Sequence, residues 1–131
     1  MLTVELVQPT ELTNNDIRWL VISANKGWDG VLAIDLVNAA LAGNAGIYRI
    51  TGEARGVFVL EPRGQDMKII GLAGEGFLKH FPEVHKVICD TAKGCGAKRV
   101  VGLVARGALS KMYEKYTAAK VVATVVVEDL T

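Results

Sequence analysis

Gly71-x-x-Gly74-x-Gly76 sets three glycines between an apolar stretch, MKII, and a segment of helical periodicity, HFPEVHKVICDTAK. Glycines at this spacing let successive backbone N–H groups turn toward one point with no side chain in the way, and a helix that follows adds its positive end. The ligand that suits such a turn is an anion, phosphate above all. The same spacing also serves tight turns that bind nothing, and the chain has fourteen glycines to distribute. A dinucleotide fold would carry the motif in its first strand–helix unit and an acidic residue at the end of the next strand. Neither condition is met, because the motif begins at residue 71 and Asp90 falls within the predicted helix.

Other reactive side chains are scattered. His85-x-x-x-Cys89, with Cys95 nearby, puts two metal-type ligands on one helix turn, but a fourth is not evident and thiols also pack as small hydrophobes, so no metal is assigned. A lone close pair of cysteines in a chain with an adequate core reads as free thiols. Glu53 and Glu61 are the carboxylates near the central strands and the candidates for a remote base. Their ordinary alternatives are a place in a hairpin turn for Glu53 and a strand end before Pro62 for Glu61. Lys79, Lys98 and Arg99 are candidates for contacts to outlying phosphates, or simply solvated charges. Trp19 and Trp28 read as packing anchors, and His80 as a surface or cap residue.

These residues must be held by one domain. The chain has 131 residues, half of them apolar, which suffices for a layered core over residues 1–131. A formal charge of +1 argues against a general polyanion binder. From Lys79 to Lys120 the only acidic residues are Glu83, Asp90 and Glu114 among nine Lys and Arg, a bias that fits a phosphate-bearing ligand or a solvated helix face. Interleaved exposed aromatics are lacking, so nucleic acid is not the expected partner. The start, MLTVELVQPT, has no basic leader, and no apolar run reaches membrane-spanning length, so a soluble, unexported protein is expected.

Residues 3–7 alternate as a strand ended by Pro9. Thr13, Asn14 and Asn15 offer caps for a helix presenting Ile17, Leu20, Val21 and Ala24 on one face. A second helix over 31–41 presents Val31, Ile34, Val37 or Asn38, and Leu41, and ends at Gly43-Asn44. GIYRI, GVFVL and MKIIGL then read as a meander joined by TGEAR and EPRGQD. A helix to Lys93, the strand KRVVGLV, the helix GALSKMYEKY and a final strand KVVATVVVE complete a mixed α/β domain.

The order β-α-α-β-β-β-α-β-α-β, with a glycine turn after the fourth strand, resembles the GNAT (N-acetyltransferase) fold, a mixed, mainly antiparallel sheet flanked by helices. IIGLAGEG is similar to that superfamily's pyrophosphate loop, and KMYEKYTAAKV to the stretch near the end of its fourth helix. The run from IIGLAGEG through CGAKRVVGLVARGALSKMYEKY resembles, more narrowly, small GNAT-like proteins of tailed phages. The resemblance implies acetyl-CoA as cofactor, bound by Gly71, Leu72, Ala73, Gly74, Glu75, Gly76 and Arg106, and transfer of an acyl group to an amine. Tyr113 matches the tyrosine that protonates the departing thiolate, with Glu61 as the carboxylate. Gly71 stands where the superfamily usually has Arg or Gln, and Arg106 where active members often have Asn. Glu75 adds negative charge beside the expected phosphate, and Pro82 is expected to delay or kink the following helix. The other reading is a non-catalytic phage structural or interaction protein that keeps the fold, a homo-oligomer or virion component, in the host cytoplasm or the virion.

Overall fold

A computed structural model of the chain describes residues 1–26, 32–103, 120–122 and 125–130. The elements are β1 (Thr3–Val7), a single 3-10 turn (Pro9–Glu11), α1 (Asn14–Lys26), α2 (Ala33–Leu41), β2 (Gly46–Thr51), β3 (Arg55–Arg63), β4 (Asp66–Glu75), α3 (Phe81–Gly94), β5 (Arg99–Leu103), β6 (Lys120–Val122) and β7 (Val125–Asp129). They build one seven-stranded sheet in the order β1-β2-β3-β4-β5-β7-β6. Every neighbouring pair is antiparallel except β4 with β5. Among the described residues no helix is long and apolar enough to cross a membrane.

Two apolar layers hold the sheet. On one face Phe58, Leu60, Ile50 and Met67 pack with Val84, Ile88 and Ala92 of α3. On the other, Ile47, Val57 and Val59 pack with Leu20 of α1 and Leu36 of α2. The strands alternate between these layers because successive side chains of a strand point to opposite faces. The meander of β2, β3 and β4 is as expected. Its second turn is a two-residue hairpin at Gly64 and Gln65, with Arg63 opposite Asp66 and Gly64 at φ 62°.

The helix faces differ from the apolar pattern. In α1, Ile17 and Val21 are 47% and 42% exposed, whereas Asp16, Leu20 and Ser23 are buried. The helix is rotated because its two buried polar side chains have partners on the sheet. In α2, Ile34 and Leu41 are exposed and Leu36 is buried, with Ala33, Val37 and Ala40 against the same core. Thr13 does cap α1: Thr13 N–H donates to Asp16 Oδ2 at 2.9 Å and Asp16 N–H donates to Thr13 Oγ1 at 3.1 Å, a reciprocal capping box.

Two further expectations change. The single final strand is a hairpin, since β6 and β7 pair antiparallel with Val122 opposite Val125. The expected helix over 107–116 lies outside the described residues, as do Arg106, Tyr113 and Trp28. The expected glycine turn is the more consequential correction. Gly71, Leu72, Ala73, Gly74 and Glu75 all lie within β4, and the turn occupies 76–80. Glycine pairs in a strand can serve close packing as readily as a turn.

Candidate functional site

Between Val59 and Leu60 the register of β3 on β4 shifts. Val59 faces Gly71 while Leu60 faces Ile69, which leaves Ile70 as the extra residue of a bulge. Ile69 packs with the α3 layer and Ile70 with the α1/α2 layer. Gly71 turns the same way as Ile70, for a Cβ placed there would stand 3.1 Å from Val59, 3.2 Å from Ser23 Oγ and 3.3 Å from Leu36. The bulge coincides with the end of the parallel ladder, whose last pair is Ile69 with Gly102. β4 continues to Glu75, so from Ile70 onward its edge facing away from β3 has no strand partner among the described residues.

One donor on this strand is taken. Leu72 N–H donates to Ser23 Oγ at 2.8 Å. Ser23 is 8% exposed and is carried there by the rotated face of α1. A hydrophobic period passes over such a residue. The available signal is that Asp16, Leu20 and Ser23 recur at helical spacing, so that one face carries two polar residues in line with an apolar one.

At the top of β4, Gly76 has φ 77°, a conformation that side chains disfavour. His80 N–H then donates to Gly76 C=O at 3.0 Å, closing a helical turn, and Val84 N–H donates to His80 C=O at 3.0 Å as α3 starts. A helical turn leaves its first N–H groups without intrahelical acceptors. Among the described residues, the N–H groups of Phe77, Leu78 and Lys79 meet no backbone acceptor. Pro82 sits in the first turn of α3, where a missing N–H costs nothing, so the helix starts at Phe81 without a kink. Donors, the positive end of a helix and the Lys79 ammonium therefore share one small region. Opposing charge comes from Glu75, which is exposed, and from Glu53, which is bonded to the Met1 amine. That ion pair holds the Glu53 carboxyl below the usual carboxylate range.

The remaining sequence candidates divide by position. Glu61 pairs with Lys68, two positions before the Ile70 bulge, and its carboxylate accepts from Arg63 Nε at 2.5 Å. It therefore stands on β3, one strand in from that edge of β4 and beside Gly43 and Asn44, and not at the turn. Lys98 and Arg99 are at the far end of the sheet. Arg99 pairs with Asp66 by two hydrogen bonds of 2.8 and 2.9 Å, and Gly76 lies ten residues along β4 from Asp66, roughly 33 Å. That distance sets both cations, candidates for outlying phosphates, apart from the turn. His85 Nε2 lies 3.3 Å from Cys89 Sγ and its ring stacks on Phe81. Neither Cys89 nor Cys95 is disulfide-bonded, and among the described residues no group of three or more ligating side chains converges. Tyr48 stacks on Phe58 with ring centroids 5.1 Å apart, and burial, aided by Cys95, pushes its hydroxyl up to about 12.

The described ladder of β4 with β5 thus ends at a bulge, and β4 runs on into a donor-rich turn and a helix. The chain superposes on a Bacillus subtilis acetyltransferase in complex with CoA over the whole of both chains, with a TM-score of 0.66 and 16% identity. A Desulfovibrio desulfuricans protein of the GNAT family matches over the whole of both chains at 0.70 and 10%. The Escherichia coli ribosomal-protein-S18-alanine N-acetyltransferase matches at 0.65 and 9%, covering all of this chain and 95% of that one. The fold is that of the GNAT acetyltransferases. At these identities the likeness is one of fold alone. No protein-family model matches the sequence, and no curated protein does.

Proposed function

We propose that this protein binds acetyl-CoA along the bare edge of β4 and transfers its acetyl group to an amine. The single observation that carries the reading is that, among the described residues, β4 has no strand partner on its outer edge after Ile69, directly below a turn whose N–H groups at 77–79 meet no backbone acceptor. A CoA-type ligand needs both features. Its amide-bearing arm can pair with a strand edge that has lost its neighbour, and its pyrophosphate suits convergent N–H groups beside Lys79. The CoA-bound Bacillus subtilis neighbour supports the choice of ligand. The glycines would then act unequally, Gly76 shaping the turn and Gly71 and Gly74 shaping the strand; Ala73 and Glu75 turn their backbone groups to β3, which leaves those of Leu72 and Gly74 on the ligand's side.

In the transfer, the amine nitrogen attacks the thioester carbonyl carbon, the C–S bond breaks, the nitrogen loses a proton and the thiolate gains one. Tyr113 is the proposed donor to sulfur, with Arg106 near the cofactor, both by resemblance. Glu61 is the proposed acceptor of the amine proton, through water, from its place on β3. The acceptor is an amine of unassigned class.

A second reading is favoured by the exposed apolar side chains Val4 and Leu6 on the edge strand β1 and Leu32, Ile34 and Leu41 around α2. These would suit a non-catalytic interaction or phage structural protein, including one in a virion. Calorimetric titration with CoA separates the two readings. Saturable binding near 1 μM, about −8 kcal/mol, supports the transferase. Folded protein that gives no heat favours the interaction role.

A further inference from the structure

Among the described residues, the Ser23 hydroxyl has a hydrogen with no acceptor. A serine inside a helix ordinarily turns its O–H back to the carbonyl four residues earlier, as the threonine of α3 does here, Thr91 Oγ1 donating to Val87 C=O at 2.8 Å. Ser23 turns away from its own helix to accept from Leu72 N–H at 2.8 Å. Gly71 makes this approach possible, since a Cβ there would stand 3.2 Å from the oxygen. A hydroxyl has one donor besides its acceptor sites, and among the described residues no acceptor meets the Ser23 O–H. At 8% exposure that donor is nearly cut off from bulk water, and buried donors find partners. Leu72 is three residues past the last β4–β5 pair, so the hydroxyl stands where β4 has no strand partner among the described residues.

We propose that Ser23 is a ligand-binding residue of this cleft, its O–H donating to a carbonyl oxygen of an acyl-CoA lying along β4, in place of the Leu72 N–H that it covers. The inference rests on the acetyl-CoA reading above. Leu72 lies four residues from Gly76, about 13 Å at ~3.3 Å per residue, which is within reach of an extended pantetheine arm whose pyrophosphate sits at the turn. Accepting from the Leu72 amide polarises the hydroxyl and makes it a stronger donor. The strand's own donor is thereby carried outward by one hydroxyl.

The test is calorimetric titration of acetyl-CoA and of CoA into the wild-type protein and the variants S23A, S23C and S23T, with a thermal melt for each. S23A is expected to bind more weakly by roughly three- to tenfold, the range for one neutral hydrogen bond, while S23T, which keeps the hydroxyl, stays near wild type. If S23A does not fold, S23C serves, being nearly isosteric and a poor donor, and the same loss is expected. A loss for acetyl-CoA alone assigns the thioester carbonyl; an equal loss for both ligands assigns an amide carbonyl of the arm. Wild-type binding with unchanged or tighter binding by S23A and S23C overturns the role of Ser23 and leaves the acetyl-CoA reading standing. No binding of either ligand by folded wild type overturns both.

Discussion

Gly56 and Gly74 face one another across β3 and β4, and the Phe77 ring lies over both. A Cβ on Gly74 would stand 2.4 Å from that ring and 2.5 Å from Arg55 C=O; on Gly56, 2.3 Å from Ala73 C=O. The middle glycine of the motif is therefore explained by an aromatic ring folded back onto a sheet. Phe77 belongs to the turn that carries the proposed anion donors, so the packing that requires Gly74 also fixes the turn.

Gly74→Ala is expected to cost about 1–3 kcal/mol by overpacking, measured by urea unfolding. In a Phe77→Ala background the cost should fall by at least about 0.5 kcal/mol, the coupling of residues in contact. It should not vanish, because Arg55 C=O remains. An equal cost in both backgrounds would remove the ring from the explanation.

Asp16 is 3% exposed and receives Arg49 through bonds of 3.0 and 2.5 Å. Burial alone would raise its carboxyl, but Arg49 and the Thr13 groups together hold it below the usual carboxylate range. Its stabilising contribution is thus present above the unfolded value of about 4 and is lost as pH falls through the lower folded value. Asp16→Asn should cost about 3 kcal/mol or more at neutral pH, and its stability should decline less on acidification than that of the wild type. Parallel acid profiles for the two proteins would show that Asp16 is not the titrating group.

Lys79 and Lys98 provide a positional contrast. Lys79→Ala should weaken CoA binding roughly twofold to fivefold, the scale of an exposed ion pair, with the effect shrinking at high salt. Lys98→Ala, at the far end of the sheet, should leave affinity unchanged. Equal effects from both would point to general charge attraction instead of a contact at the turn.

Once an amine acceptor is identified, Tyr113→Phe and Glu61→Gln should each lower kcat by about 100-fold or more while the KM for acetyl-CoA holds, as expected for proton-transfer groups. Unchanged turnover in either variant removes that residue from the mechanism.

The order of elements through β5 was legible because each carries its own local signal: Thr13, Asn14 and Asn15 for the start of α1, turn residues between the strands of the meander, alternation within them. Long-range partners were not. Asp16 and Ser23 are polar, so apolar periodicity put Ile17 and Val21 inward, and only Arg49 and Leu72, distant in sequence, explain the rotation. The hairpin of β6 and β7 was hidden because KVVATVVVE contains neither Gly nor Pro and is rich in β-branched residues throughout. The glycine motif was visible, but strand and turn glycines look alike until a close neighbour such as Phe77 is known.

In the proposed complex, acetyl-CoA lies along β4 from the bulge to the turn. Amide chemical shifts followed by NMR during titration with acetyl-CoA test it most directly. Saturable shifts are expected at Leu72, Gly74, Gly76, Phe77, Leu78 and Lys79, with Arg63, Asp66 and Lys98 unmoved. Shifts centred on the far end of the sheet, or none at all in folded protein, would contradict it.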